Sequence, residues 1–380
     1  MNHIQLIWNE LEATIKFGIF RPANGITEYH VVIELNNKHT KTENQFKNIA
    51  KAIEQLQQTK ELKKAVLVFK RYFLSDAVNQ AHLIKESSDV AVSIVQQPPL
   101  NGTKASVWLY YVEDSAIQTD SCGTVVLKRP HYEHLYNMQL QKPEQDEFAE
   151  TTHIFEKYID SLKSRSCTLK ENCIRTWIYV QGVDIHYTKM VESRMNFFTQ
   201  EGLTKDTHYI ASTGIEGRYF NPESLVLMDA YAVKGIQQEQ IRYLHAPTHL
   251  NPTFEYGVTF ERGTTVDYGD RRHIFISGTA SINNKGEIVH PFNIEKQTER
   301  VIENITVLLA EADSQINDIS QMIVYLRDTA DYETVLVYLQ RHYSDIPKVI
   351  VWAPVCRPGW LVEIECIAIK EIEEEKFERF

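Results

Sequence analysis

Apolar residues recur with helical and strand periods through the C-terminal third of the chain. A helix is predicted over 294–312, because its apolar positions follow the i, i+4, i+7, i+8 spacing of one helix face: Val301, Ile305, Leu308 and Leu309. A strand at 322–326, a helix at 330–343, a strand at 349–352 and a closing strand at 361–369 complete the pattern. A Pro-Gly turn separates the last two strands. This order of elements is that of one unit mixing helices and strands.

The same order of elements recurs twice upstream. A helix over 148–163, a strand at 174–180, a helix near 185–199 and a closing strand at 225–234 form one copy, and residues 42–113 form the other. The closing strands can be aligned as LVEIECIAIK, LVLMDAYAVK and, less closely, ASVWLYYV. We therefore predict three tandem units, called here the first unit (1–115), the second unit (116–240) and the third unit (241–380).

The closing strand of the third unit carries two acids on an otherwise apolar segment. Glu363 and Glu365 stand two residues apart, so an extended chain points both side chains to one face. Burying a carboxylate is costly, so a pair of them there needs a reason. The aligned positions are Leu227 and about Val107 for Glu363, and Asp229 and about Leu109 for Glu365. Because only the third unit has both acids, we expect one competent site and two degenerate ones.

Composition and charge narrow the range of functions. The 380 residues are 43% apolar, enough for ordinary cores, and carry a net charge of −11. An acidic protein repels phosphate backbones, so we expect no nucleic-acid partner. The five cysteines lack zinc-type spacing, which favours reduced thiols and no metal site. With no basic leader and no membrane-spanning run, the chain is expected in the cytoplasm and without a membrane partner.

Residues 274–370 resemble the Rid family, also called YjgF-like or L-PSP-like proteins. The matching features follow in order: the SG turn after a first strand, the NNKGEI turn, an amphipathic helix, the VYLRD strand end, a second helix and the final VEIE strand. The resemblance implies an α/β (α+β) chorismate-mutase-like fold, usually assembled into trimers with clefts between subunits. Three such units in tandem would form an intramolecular pseudo-trimer, so the protein is expected as a monomer or a homo-oligomer.

The resemblance also implies a site. In typical Rid deaminases a Glu on the closing strand holds the water that attacks an imine, and this Glu matches Glu363. An Arg upstream of it clamps the substrate carboxylate, and its position falls on Lys348. Lys offers a point charge where Arg offers a planar fork, so the usual arrangement is altered here. Arg357, in the CRPGW turn, is a candidate replacement.

A second resemblance, to the chorismatases, covers more of the chain. These enzymes have a Rid-like C-terminal domain and carry SGTAS, found here at 277–281 with Gly278 and Ala280. They place a small residue or Cys seven positions before the catalytic Glu, which corresponds to Cys356 and Glu363. They hydrolyse or rearrange chorismate at its enol-pyruvyl ether, with loss of pyruvate. The resemblance places the SGTAS segment and Cys356 against the substrate.

Both resemblances imply one chemistry, in which a buried acid acts on an unsaturated carbon. Glu363, in a dry cleft beside Glu365, would have a raised pKa and hold a proton near neutral pH, and Glu365 is expected among the residues that bind substrate. Arg262 and Tyr256 lie in the linker region where chorismatases bind substrate, and cationic groups there would bind substrate carboxylates. Cys356 is interpreted as a residue of the pocket wall; the alternative, a nucleophile, has no His partner nearby in sequence.

Three functions follow from these residues. The first is a Rid-type enzyme, a hydrolase or deaminase, acting on an imine, enamine or enol-ether carbon of a small carboxylate by Glu-assisted hydrolysis. The second is a chorismatase-like enzyme that releases pyruvate from chorismate. The third is a protein that binds such metabolites without turnover. None of the three calls for a cofactor, and a ribonuclease ranks last because of the negative charge.

Overall fold

Three six-stranded sheets, one from each unit, form the architecture of the residues that the structure describes. The computed structural model describes residues 1–86 and 89–380, with Tyr256 described in its backbone only. In every sheet the strands follow the same order, first, second, third, sixth, fourth and fifth, with a parallel pair at one edge. The repetition confirms the prediction of a tandem α+β fold.

Among the described residues, each sheet is formed by one continuous segment of the chain, with no strand contributed from another segment. The first sheet contains β1 (Asn2–Trp8), β2 (Ala13–Phe20), β3 (Glu28–Leu35), β4 (Ala65–Leu74), β5 (Ala91–Gln96) and β6 (Ala105–Glu113). The second contains β7 (Ala116–Thr119), β8 (Val125–Lys128), β9 (Glu133–Leu140), β10 (Cys173–Val180), β11 (Ala211–Glu216) and β12 (Val226–Lys234). The third contains β13 (Ile241–Leu244), β14 (Gly263–Asp267), β15 (Arg271–Ala280), β16 (Ile319–Leu326), β17 (Lys348–Trp352) and β18 (Val362–Glu371). The sequence pattern predicted the last three strands of every sheet but not most of the opening ones.

Helices cover the outer faces of the sheets. They are α1 (Thr42–Gln58), α2 (Ala77–Gln80), α3 (Glu147–Lys163), α4 (Leu169–Asn172), α5 (Val183–Gln200), α6 (Ile294–Glu311) and α7 (Tyr332–Tyr343). A side-chain cap marks where α6 begins: the side chain of Asn293 accepts the backbone N–H of Lys296 at 3.0 Å. The predicted apolar face of α6 is buried. In the described residues no helix is long and apolar enough to cross a bilayer.

A bulge at the same place in each sheet fixes how the units correspond. It lies near the start of the fourth strand, where one residue is skipped in the pairing with the sixth strand, between Leu67 and Phe69, Cys173 and Arg175, and Ile319 and Gln321. The residues opposite the end of the bulge are Tyr110, Tyr231 and Ile367. A shared irregularity of this kind is a feature of the repeated unit rather than of one sheet.

This register corrects the alignment of the first unit by one residue. Counting back from Tyr110 and Ile367, Glu365 corresponds to Trp108 and not to Leu109. Glu363 likewise corresponds to Ser106 and not to Val107. A slip of one residue moves a side chain to the opposite face of a strand. Leu109 accordingly packs in the separate core beneath α1, whereas Trp108 faces the central core.

The inner faces of the three sheets share one central core. It includes Trp108 of the first unit, Trp177 and Tyr231 of the second and Ile364 of the third. Aromatic side chains of all three units also line a cavity at this centre. Because the sheets meet around common residues, side chains of one unit reach the closing strand of the next.

Candidate functional site

The two acids of the closing strand are buried on one face of β18. This strand lies between β15 and β16 and is antiparallel to both. Glu363 is 4% exposed and Glu365 is 2% exposed. Their carboxylates have different surroundings: Glu363 lies in a cleft, whereas Glu365 is held inside the interface between the second and third units.

The cleft around Glu363 encloses about 460 Å³ and is lined by residues of the second and third units. Six predicted site residues lie together in it: Glu363, Cys356, Arg357, Arg262, Gly278 and Ala280. The second unit adds Tyr187 and Arg194 from α5, and Ser212, Thr213 and Gly214 near β11. In the described part of the chain, no group of His, Cys, Asp and Glu side chains is arranged to hold a metal ion.

A glycine beneath Glu363 determines where its carboxylate lies. A Cβ added at Gly278 would stand 1.9 Å from Oε1 of Glu363, far inside contact distance. The backbone N–H of Gly278 donates to Oγ1 of Thr213 at 2.9 Å, which ties β15 to the second unit. Gly278 is therefore needed for the close approach of a side chain, not for an unusual backbone conformation.

Burial makes Glu363 a proton carrier near neutral pH. Burial, together with the negative charge of Glu365, raises the pKa of its carboxyl from an ordinary 4.5 to about 8. The guanidinium groups of Arg175 and Arg262 act in the opposite direction on this pKa. A carboxylic acid with such a pKa is protonated at pH 7 and can return to that state after donating its proton.

Arginines from both units line the cleft around this acid. Arg262 is 5% exposed, and its Nη2 donates to the backbone oxygen of Asn251 at 2.9 Å. Arg194 is 1% exposed, and its Nε donates to Oγ1 of Thr259 at 3.2 Å. Arg357 is exposed at the mouth of the cleft. The cleft thus combines a protonated acid with positive charge from both units, which suits an anionic ligand.

Cys356 forms part of the cleft wall. Burial, together with the charge of Glu363, raises the pKa of its thiol to about 12, and a hydrogen bond with Tyr187 acts in the opposite direction. The thiol is therefore protonated at neutral pH, and no histidine of the described residues lines the cleft. These surroundings favour the interpretation of Cys356 as a wall residue over that of a nucleophile.

Glu365 does not line the cleft, contrary to the expectation that it binds substrate. Its Oε2 lies 2.8 Å from Nη2 of Arg175, and its Oε1 accepts the indole N–H of Trp177 at 2.7 Å. Both partners belong to β10 of the second unit. With both oxygens engaged, Glu365 acts on a ligand only through its charge.

Lys348 lies in a different interface, so its predicted role at this site is wrong. Its Nζ donates to the backbone oxygens of Tyr343 at 2.6 Å and Ile346 at 2.7 Å. Burial lowers its pKa to about 7, and the charges that act on it include Lys16 and Glu34 of the first unit. The reason is topological: β17 is the edge strand of the third sheet and faces the first unit. The edge strand beside Glu363 is β11 of the second unit.

Two further outcomes concern residues of the linker and of the second unit. The side chain of Tyr256 lies outside the described part of the structure, so its predicted role stays a prediction.

Tyr187 and Arg194 were not predicted, although their i, i+7 spacing places them on one face of a helix. That spacing indicates a shared face, but nothing local shows that the face belongs to the site of the next unit.

Comparisons with known proteins agree with this architecture. The family model described as Endoribonuclease L-PSP matches residues 265–370. A RutC family protein of Pyrococcus abyssi is 37% identical over 101 residues, which cover 26% of this chain and 79% of that protein. The 3-aminoacrylate deaminase RutC of Acinetobacter baylyi is 28% identical over 97 residues, covering 25% of this chain and 77% of that protein.

A solved structure extends the similarity beyond the third unit. A crystal structure of a chorismatase superposes with a TM-score of 0.62, covering 80% of this chain and 92% of that one at 18% identity. At this identity the match shows a shared fold. Through its C-terminal domain, the chain belongs to the RutC family, which is the Rid or L-PSP family of proteins.

Proposed function

We propose that the chain is an enzyme that acts on an imine, enamine or enol-ether carbon of a small carboxylate in the cleft around Glu363. The observation that carries the proposal is a buried carboxyl with a pKa of about 8 among guanidinium groups of two units. A carboxyl of this kind donates a proton to carbon, or positions water, at neutral pH. The arginines bind the carboxylate of the substrate and fix its orientation.

The reaction on an imine is a hydrolysis. Glu363 orients a water molecule toward the C=N carbon, and the nitrogen is protonated as the C–O bond forms. The carbinolamine then collapses, the C–N bond breaks, and a keto acid and ammonia leave. The name of the Acinetobacter baylyi relative, a 3-aminoacrylate deaminase, supports this class of substrate.

The second candidate is the hydrolysis of an enol-pyruvyl ether such as that of chorismate. Here the Glu363 proton is added to the methylene carbon, water attacks the resulting oxocarbenium carbon, and the C–O bond of the hemiketal breaks to release pyruvate. Two observations favour this candidate: the chorismatase fold covers 80% of the chain, and the cleft has one buried arginine from each unit. Two separate guanidinium groups match a substrate with two carboxylates.

Both candidates need only one copy of the chain, because the cleft lies between two units of the same molecule. We infer that the three units form an intramolecular pseudo-trimer. Specific activity is then expected to stay constant when the protein is diluted through the concentration range in which a homo-oligomer would dissociate. A fall in specific activity on dilution, with light scattering showing dissociation, would contradict this inference.

The test is to compare wild type with Glu363→Gln on imine substrates and on chorismate. Loss of the acid is expected to reduce kcat by about 10²–10⁴-fold, the usual contribution of general acid–base catalysis. Ammonia release identifies a deaminase, and pyruvate release from chorismate identifies the second candidate. Glu295→Gln, an exposed acid at the start of α6, is the matched control and should keep full activity.

Two results would overturn the proposal. One is Glu363→Gln retaining wild-type turnover. The other is wild-type protein that is stabilised against heat by keto acids or chorismate yet turns none of them over, since that result supports the third function, binding alone.

A further inference from the structure

Arg175 of the second unit connects the two acids of the third. Its side chain is 2% exposed, and its Nη2 lies 2.8 Å from Oε2 of Glu365. The same nitrogen donates to Oγ1 of Thr213 at 2.5 Å. One guanidinium group therefore holds a residue of its own sheet and a residue of the neighbouring sheet at once.

Thr213 links Arg175 to Gly278, the residue of the cleft that lies against Glu363. Its Oγ1 accepts from Arg175 and also accepts the backbone N–H of Gly278 at 2.9 Å. Its Cγ2 lies 3.1 Å from the position that a Cβ of Gly278 would take, so the methyl group packs against that backbone. Because Gly278 is in direct contact with the Glu363 carboxyl, a shift of Thr213 changes the space available to that acid.

Ser277 reinforces the connection. Its Oγ lies 3.5 Å from Nη1 of Arg175 and accepts the backbone N–H of Ser212 at 3.0 Å. The Ser277 hydroxyl donates in turn to the backbone oxygen of Glu261 at 2.6 Å. β11 of the second unit and β15 of the third are thus joined by side-chain hydrogen bonds at Ser277 and at Gly278.

We propose that Arg175 is a positioning residue for Glu363, holding Thr213 and Glu365 so that the Glu363 carboxyl keeps both its place on Gly278 and its negatively charged neighbour. The proposal rests on the function proposed above, because it concerns the same acid. It assigns the second unit a direct part in the site, although the reacting acid belongs to the third unit.

Several charged or titratable groups face Glu363 besides Arg175. They are Glu365 on the same strand, Arg262 just before β14, Cys356 and Arg357 on the turn before β18, and Tyr187 and Arg194 on α5. Neither Glu365 nor Arg175 lines the cleft. Both can therefore be changed without altering a residue that does. Removing the negative charge of Glu365 should lower the pKa of Glu363, and removing the positive charge of Arg175 should raise it.

The experiment measures that pKa directly, by carbon NMR titration of protein labelled at the glutamate carboxyl carbons, with the Glu363 signal identified by its loss in Glu363→Gln. Glu365→Gln is expected to lower the midpoint and Arg175→Met to raise it, each by about one pH unit. Opposite shifts are a result that a merely structural role would not produce. Equal midpoints in all three proteins, or shifts in the same direction, would overturn the proposal.

Arg175→Met leaves Glu365 buried and unpaired, so this variant is at risk of unfolding. The double variant Arg175→Met with Glu365→Gln removes both charges, and Thr213→Val removes the hydroxyl while keeping its volume. In Thr213→Val, kcat is expected to fall about tenfold or more with little change in KM, because the acid is misplaced while the arginines still bind substrate. A KM increase at unchanged kcat would count against the proposal.

The outcome for Arg175 is separable from that for the proposed function. If Glu363→Gln abolishes turnover but the midpoints do not move, only the positioning role fails. If Glu363→Gln is fully active, the function fails, whatever the titration shows. The NMR readout needs no substrate, so it does not depend on identifying the reaction.

Discussion

An arginine is buried beside a carboxylate at the interface between the first and second units and again at the interface between the second and third units. Between the first and second units, Nη2 of Arg71 lies 3.0 Å from Oδ2 of Asp229, with both side chains fully buried. Between the second and third units, Arg175 and Glu365 form a pair at 2.8 Å. Asp229 and Glu365 occupy equivalent positions on β12 and β18. The difference between the two interfaces therefore lies in what surrounds the pair.

At the first interface the acid is satisfied entirely by structural partners. Besides Arg71, Asp229 accepts the hydroxyl of Ser93 and the backbone N–H of Gln139 at 2.9 Å. The position equivalent to Glu363 is Leu227, 1% exposed in the central core. A buried ion pair by itself is thus an interface element, and the site arises where a second acid is added next to it, above a glycine.

The two arginines reach their acids from different strand positions. By the register of the sheets, Arg71 corresponds to Trp177 of the second unit, whereas Arg175 corresponds to Phe69 of the first. Both guanidinium carbons lie near the Trp177 ring, at 4.5 Å for Arg71 and 4.9 Å for Arg175. The position of the acid is repeated but that of the arginine is not, so alignment of the units finds the two acids and not their partners.

The largest effect is expected when the acid of the cleft, Glu363, is moved to the equivalent position at the first interface, Leu227. This change tests whether only the second interface forms a competent cleft. The exchange variant, Glu363→Leu with Leu227→Glu, is expected to lose at least about 10³-fold in kcat/KM, because Leu227 is surrounded by core rather than by a cleft. Both single variants are the controls, with activity expressed per folded molecule from thermal unfolding. Recovery in the exchange variant beyond the level of Glu363→Leu would show that the first interface also forms a competent cleft.

Breaking the first pair should affect stability and not catalysis. Asp229→Ala leaves the fully buried Arg71 without its carboxylate and is expected to lower the free energy of unfolding by about 3–5 kcal/mol. Urea unfolding measures this loss, and kcat of the protein that remains folded should be unchanged. Adding Arg71→Met to Asp229→Ala should restore part of the stability. A kcat reduced as strongly as in Glu363→Gln would mean that the two interfaces are coupled in catalysis.

A methyl group beneath the acid tests the placement of Glu363. Gly278→Ala puts a Cβ where Oε1 of Glu363 now lies, and kcat is expected to fall about 100-fold, as for misplacement of a reacting group by about 1 Å. Gly359→Ala is the matched control, since its Cβ would meet only the side chain of Ile288, whose flexible end, Cδ1, lies 2.4 Å away. Steady-state kinetics of both variants decide the matter, and equal losses in the two would remove the special role of Gly278.

The sequence identifies features within one unit much better than contacts between two units. The strand carrying Glu363, the nearby Cys356 and the SGTAS segment were all located, because each follows from periodicity or from a motif within one unit. Arg175 and Arg194 were missed, since only the packing of the second unit on the third brings them to the site.

The errors have the same physical origin. The resemblance to Rid deaminases implies Lys348 at the Glu363 cleft, but the edge strand that carries it faces the first unit. The one-residue error at Trp108 arose because no local signal placed the bulge in β4. Register and inter-unit contacts depend on tertiary pairing, which a pattern of apolar residues does not specify.

The pH dependence of stability distinguishes a buried protonated acid from a solvated one. The pKa of Glu363 rises from an ordinary 4.5 to about 8 on folding, so the folded state binds the proton more tightly. Stability from this group is fully present below pH 4.5 and is lost as the pH rises toward 8, at about 1.4 kcal/mol per pH unit between those values. The free energy of unfolding, measured at pH 6 and pH 7 against Glu363→Gln, should show this difference. An identical pH dependence in the two proteins would place the acid in water.

Substitution of Cys356 is expected to have the smallest effect on kcat. It tests whether this residue only forms the wall of the cleft or takes part in the reaction. Its thiol, with a pKa raised to about 12 by burial, is protonated throughout the working range, so it supplies no thiolate. Cys356→Ala is therefore expected to change kcat by less than about threefold, while a nucleophile would lose the roughly 10²-fold or more typical of a group that takes part in the reaction. Thiol-directed alkylation gives an independent check, because a protonated cysteine should react far more slowly than exposed Cys122. Rapid alkylation of Cys356 accompanied by loss of turnover would contradict this prediction. It would mean that the thiol takes part in the reaction together with Glu363.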